Sequence, residues 1–178
     1  MNIPNLLTVI RFLLIPLCGY YLYNELYFIA GAIFVIACLT DLLDGYIARK
    51  YNMVTNFGKL ADPAADKLLL ITVLFILSVN SSVPLVIPVI VFTKELLMGI
   101  GGLVLLKNRY VVSSNVFGKI AAFIFNASVA LIIIFKPNEI VTNTLLAVCV
   151  ILMFAALVGY TIRYFNIKSN IKPIKQEK

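Results

Sequence analysis

The chain has 178 residues, of which 62% are hydrophobic and only 13% charged, whereas ordinary soluble domains are about 45–50% apolar and about 25% charged. A water-soluble domain of this size cannot hide that much apolar surface, so lipid has to be part of its solvent, and one domain is the natural count. The net charge of +7 does not read as a nucleic-acid footprint: basic residues gather at the ends of apolar runs and between Arg163 and Lys178, where they serve as topology signals and contacts to anionic headgroups.

A helix needs about 20 apolar residues to cross the hydrocarbon layer. Six such segments follow one another, at 5–23, 26–50, 59–79, 83–106, 117–135 and 140–164. The opening Asn2-Ile3-Pro4-Asn5 reads as a short interfacial helix leading into the first. The predicted fold is therefore an all-α integral membrane protein of six transmembrane helices, with residues 1–165 as the membrane domain and 166–178 as a basic tail. No cleavable signal peptide is expected, because the first segment lacks a basic lead-in and Arg11 interrupts it. Cys18, Cys38 and Cys149 lie inside apolar runs without metal or redox spacing and read as packing residues.

The separators differ in charge. Asn24-Glu25, Asn80-Ser81-Ser82 and Lys136-Pro137-Asn138-Glu139 contain one basic residue, Lys136. The opposite side collects Arg49, Lys50, Lys59, Lys107, Arg109, Lys119, Arg163 and the tail lysines. The positive-inside rule then predicts that both termini are cytoplasmic. Tyr20, Tyr21, Tyr23 and Tyr27 fall at the first outer turn, as an interfacial aromatic belt would. Gly99, Gly101 and Gly102 predict close packing along the fourth span.

The chemistry concentrates in Asp41-Leu-Leu-Asp44-Gly45-Tyr-Ile-Ala48-Arg49 and, after a short loop, Gly58-Lys-Leu-Ala-Asp62-Pro-Ala-Ala-Asp66-Lys67. Asp41 and Asp44 are three apart at the end of one helix; Asp62 and Asp66 are four apart at the start of the next, so each pair shares a face. Carboxylates at this depth are costly unless their charge is offset. Hard divalent cations do this through oxygen ligands, and a two-metal cluster would stabilise both attacking and leaving oxygens of a phosphoryl-type displacement. Gly45 and Gly58 leave room for a bulky substrate beside the backbone, and Arg49 and Lys59 stand where phosphate charge would be met. Singly, each acid pair is an ordinary interfacial feature, balanced by Arg49, Lys59 or Lys67. The whole arrangement reads as a site.

This arrangement resembles the signature of the CDP-alcohol phosphatidyltransferases: D-x-x-D-G-x-x-A-R, about eight residues, then G-x-x-x-D-x-x-x-D. Asp41, Asp44, Gly45, Ala48, Arg49, Gly58, Asp62 and Asp66 occupy its fixed positions, and the opening Ile-Pro-Asn-Leu-Leu-Thr with Arg11 looks like bacterial members. The resemblance implies six transmembrane helices, a homodimer, a bacterial inner-membrane location and two Mg²⁺ (or Mn²⁺) ions on Asp41, Asp44, Asp62 and Asp66. It implies a CDP pocket formed by Asp41, Asp44, Gly45, Ala48, Arg49, Gly58 and Asp62. Asp66 is implied as the base that activates an acceptor hydroxyl, which attacks the β-phosphorus of CDP-diacylglycerol and releases CMP. The chain has no histidine, which removes a phosphohistidine route to the same lipids.

The stretch from Gly58 to Lys67 looks like phosphatidylglycerophosphate synthases, which use glycerol 3-phosphate, and like related cardiolipin synthases, which use phosphatidylglycerol. The former is the leading expectation. Lys94-Glu95 stands where many glycerophosphate-using members carry an arginine before an acid. Lys94, Lys107, Arg109 and Lys119 are candidates for holding the acceptor phosphate, set against pairing of Lys94 with Glu95 and a topological role for the others. A divalent-cation transporter is the non-enzyme alternative. It is disfavoured because its acids would sit near the midplane of broken helices, not at the ends of two consecutive spans.

Overall fold

A computed structural model describes residues 3–51, 56–107 and 116–170. They form six helices, α1 (Ile3–Tyr23), α2 (Tyr27–Lys50), α3 (Asn56–Val79), α4 (Val86–Lys107), α5 (Val116–Phe135) and α6 (Glu139–Asn170), and no strand occurs among the described residues. In α1, α2, α5 and α6 the stretches Asn5–Tyr23, Tyr27–Ile47, Phe117–Phe135 and Glu139–Gly159 are long and apolar enough to cross a membrane. The other two helices carry charges within their length, Asp62, Asp66 and Lys67 in α3 and Lys94 and Glu95 in α4. Large apolar side chains such as Leu13, Phe28, Ile140 and Ile151 point outward and are exposed, a surface suited to lipid. The protein is an all-helical membrane protein.

Two expectations at the chain ends change. The separate interfacial helix is not formed: α1 starts at Ile3 and runs unbroken to Tyr23, because a proline such as Pro4 is tolerated in a first helical turn, where its missing N–H would have no partner. At the other end α6 continues to Asn170, so residues 166–170 of the expected tail are helical. The remainder of that tail lies outside the described residues.

The three turns expected on the less basic side close their helices with left-handed residues. Glu25 (φ 60°) and Ser81 (φ 57°) each sit inside a wrap-around cap, with Leu26 N–H donating to Tyr21 O at 2.9 Å and Ser82 N–H to Leu77 O at 2.9 Å. Lys136 (φ 45°) uses the simpler cap, donating to Ile132 O at 3.1 Å, since Pro137 after it has no N–H to add. Its ammonium stands 3.5 Å over the ring of Tyr27, and Asn80 Nδ2 donates to Leu22 O at 2.8 Å. These contacts tie neighbouring turns together.

Each helix of the central group buries one stripe. In α1 it runs Thr8, Arg11, Ile15, Cys18, Leu22; in α2, Ala30, Phe34, Ala37, Asp41, Asp44; in α3, Asp62, Asp66, Leu69, Val73, Leu77. The steps of three and four keep every member on one face. Helix α1 packs against both α2 and α3, while α5 packs against α2 and α6. Lipid tails are as apolar as leucine, so close approach rather than hydrophobic expulsion holds such helices together. Gly31 makes that approach possible, since a β-carbon there would stand 2.5 Å from Ile134 Cγ1. Among the described residues the expected close packing of α4 is not seen: a β-carbon at Gly99 or Gly101 would meet nothing within 4 Å, because α4 packs chiefly against α3.

Candidate active site

All three stripes turn from apolar to polar at the same end of the bundle. Because α1 and α3 begin where α2 ends, Thr8 and Arg11, Asp41 and Asp44, and Asp62 and Asp66 meet there. Asp41, Asp44, Gly45, Gly58, Asp62 and Asp66 line one cavity of about 640 Å³, with Lys119 and Asn126 of α5 on its far wall. Six of the eight positions of the motif thus share a single space. Ala48 and Arg49 lie on the last turns of α2, but their side chains are outside the described residues.

Among the described residues, which exclude the side chains of Arg49 and Lys59, the acids have a partner that was not expected. Arg11, fully buried, is ion-paired with Asp44, which is 2% exposed, and its Nη1 lies 2.8 Å from Asp41 Oδ1. The Asp41 contact is ionic rather than an aligned hydrogen bond, and Arg11 Nε has no hydrogen-bond partner among the described residues. Thr8, also fully buried, donates its hydroxyl to Asp62. Asp66 shares the cavity lining with Asn126. Lys67, offered as a partner for the acid pairs, is drawn instead to Glu95, Nζ to Oε2 2.6 Å. Arg11 was legible as a charge interrupting an apolar run, because an ionisable residue inside a span is a functional candidate by default, and together with Thr8 as part of the opening stretch that resembles bacterial members. Asn126 carries no such mark.

A second cavity of about 480 Å³ opens between α3, α4, α5 and α6. Asp66, Lys119 and Asn126 line both spaces, and Lys67, Lys94 and Glu95 line only the second. Lys94 pairs with Glu95, the alternative weighed against a free phosphate-seeking lysine; one glutamate therefore holds two ammonium groups at the cavity wall. Lys107 closes α4 with its side chain outside the described residues, and Arg109 lies outside them altogether.

The donor set suits a hard divalent cation, with four carboxylates against the single thiol of Cys38 on the cavity wall. Among the described residues, no three acid or thiol side chains are gathered closely enough to hold an ion unaided. That is compatible with Mg²⁺, which is usually bound by one or two carboxylates together with substrate phosphates and water rather than by an all-protein cage.

The comparisons with known proteins agree with this geometry. The chain is 33% identical over 174 residues to a protein of Aquifex aeolicus, covering 93% of this chain and 97% of the relative. It is 34% identical over 183 residues to one of Bacillus subtilis, covering 93% and 94%. A protein of Rickettsia felis is 44% identical over 100 residues, 54% of this chain and 55% of the relative. All three bear the name CDP-diacylglycerol--glycerol-3-phosphate 3-phosphatidyltransferase. The family model for CDP-alcohol phosphatidyltransferases matches residues 1–161, nearly the whole helical bundle, and the chain belongs to that family.

Proposed function

We propose that the protein transfers the phosphatidyl group of CDP-diacylglycerol to glycerol 3-phosphate, releasing CMP. The observation that carries this reading is the pair of cavities joined at Asp66, one lined by carboxylates and the other by lysines. A phosphate-bearing acceptor suits the lysine side, and the names of the relatives supply glycerol 3-phosphate as that acceptor.

Asp41, Asp44 and Asp62 would hold Mg²⁺ or Mn²⁺, which would supply positive charge for the donor pyrophosphate, with Gly45, Ala48, Arg49 and Gly58 lining the nucleotide pocket. Asp66 faces both spaces, where it can take the proton of the acceptor hydroxyl and also reach a second ion. When bound, the metal neutralises the pyrophosphate and the charge that develops on the leaving CMP. The hydroxyl oxygen forms a bond to the β-phosphorus while the bond from that phosphorus to the CMP oxygen breaks, and Asp66 carries the proton away. Lys94 and Lys119, with Lys67, hold the acceptor phosphate and fix the hydroxyl beside Asp66, which supplies the orientation that makes such displacements fast.

Six membrane spans, a cytoplasmic acid cluster with cytoplasmic chain ends, and a homodimer complete the proposal; the distribution of basic residues supports the orientation. The test is CMP release by purified protein in detergent with Mg²⁺, comparing glycerol 3-phosphate, phosphatidylglycerol, inositol phosphate and serine. Stimulation by glycerol 3-phosphate is expected. Stimulation by phosphatidylglycerol alone would make the protein a cardiolipin synthase, and no release from folded protein with either Mg²⁺ or Mn²⁺ would overturn the transferase reading.

A further inference from the structure

The four aspartates come, two each, from helices that touch each other little. Helices α2 and α3 share few contacts, whereas α1 packs closely against both. The face of α1 toward them presents Thr8 and Arg11, one turn apart and both fully buried. Arg11 contacts Asp41 and Asp44 on α2, and Thr8 donates to Asp62 on α3. The residues that set the spacing between the two acid pairs therefore lie outside the acidic motif, on a helix that contributes no carboxylate.

We propose that Arg11 and Thr8 are positioning residues for the carboxylates that receive the metal-bound nucleotide. The inference rests on the transferase reading above. A guanidinium is a planar fork that reaches two acceptors at once, which an ammonium on a flexible stem does not reproduce. Here the fork spans the i, i+3 acids of one helix turn, and the hydroxyl fixes the first acid of the next helix. One positive charge against four carboxylates leaves the cluster anionic, so Arg11 sets its geometry without cancelling its attraction for a cation. It also lets the acids remain buried and ordered before any ion arrives, because a buried charge is tolerated when paired.

The alternative is that Arg11 competes with the ion for Asp41 and Asp44. Two variants separate the two roles. Arg11→Lys keeps the charge and loses the fork; Arg11→Met loses both. The probe is Mn²⁺ alone, titrated into detergent-purified protein and followed by loss of the free-ion electron paramagnetic resonance signal, a readout that needs no turnover. Positioning predicts that Arg11→Lys raises the Mn²⁺ concentration for half-saturation about tenfold, a step worth about 1.4 kcal/mol, and raises KM for CDP-diacylglycerol while KM for the acceptor is unchanged. Thr8→Val shifts both in the same direction by less, and Thr8→Ser restores them. Unchanged Mn²⁺ binding in Arg11→Lys, or tighter binding in Arg11→Met, would overturn the proposal. If Arg11→Met fails to fold, Arg11→Lys and Thr8→Val, checked by size-exclusion profile, decide it alone. Failure of the transferase reading itself would instead appear as absent CMP release in the unmodified protein.

Discussion

Asn126 of α5 and Asp66 of α3 stand on the wall that the carboxylate-lined and lysine-lined cavities share. A carboxylate that removes a proton has to present one oxygen to the acceptor, and an amide that donates to the other oxygen fixes which one. Asn126→Ala is therefore expected to lower kcat by on the order of tenfold, part of the 10²–10⁴ that a positioned base contributes, with little change in either KM. Asn126→Asp, which sets a like charge against Asp66, should cost more. Steady-state CMP release decides this, and an unchanged kcat in both variants would leave Asn126 as a packing residue.

Asp62 couples the same cavity to α1 through Thr8. Asp62→Asn keeps the size of the side chain and its ability to accept that hydrogen bond, so the fold should survive. The lost charge falls on a proposed metal ligand, at a kind of site where even outer partners are worth about 10–100-fold. CMP release is expected to drop by roughly a hundredfold or more, with an unaltered size-exclusion profile. Chelation by EDTA should abolish release in the unmodified protein and Mg²⁺ or Mn²⁺ should restore it, again without unfolding, because Arg11 already balances the buried Asp44. Retained turnover in Asp62→Asn would remove that residue from the ligand set.

Lys94 and Lys67 share Glu95, which makes the glutamate a resident stand-in for an anionic acceptor. Hydrogen bonds to charged groups contribute about 1.5–3 kcal/mol, so Lys94→Met should raise KM for glycerol 3-phosphate at least about tenfold and leave KM for CDP-diacylglycerol unchanged. Glu95→Gln releases both ammonium groups and is expected to lower the acceptor KM. An acceptor KM indifferent to both changes would mark the triad as structural.

The helices were legible because lipid imposes a length, and the six apolar runs match α1 to α6 closely. The acid motif was legible because charge is rare in such runs, so Asp41, Asp44, Asp62 and Asp66 stood out before any contact was known. What sequence could not supply was partnership. Lys67 was a near neighbour of the acids in the chain, yet among the described residues the ion-pair partner of Asp41 and Asp44 is Arg11, thirty residues earlier, brought in by the antiparallel packing of α1 on α2. Asn126, and the aim of Thr8 at Asp62, were illegible for a different reason: small polar residues are common in membrane helices, and only their aim distinguishes them. The glycines misled in the opposite way. Gly99-x-Gly101-Gly102 looked like a packing face, whereas the close approach inside the chain occurs at the isolated Gly31.

That contrast yields a stability test. At Gly31 a β-carbon would lie 2.5 Å from Ile134 Cγ1 and 3.3 Å from Ile133 Cγ2, and because those are inner atoms of β-branched side chains, α2 and α5 would have to separate. Overpacking of this kind costs about 1–3 kcal/mol, which for a chain of this length lowers Tm by roughly 2–4 °C per kcal/mol, so Gly31→Val should melt several degrees below the unmodified protein in detergent. Gly99 meets nothing, and replacing glycine by alanine inside a helix gains up to about 1 kcal/mol. Gly99→Ala should thus melt at the same temperature or slightly higher. A fall in Tm for Gly99→Ala would mean that the open face of α4 is covered in solution, and a fall that disappears on dilution would identify the cover as a second copy of the chain.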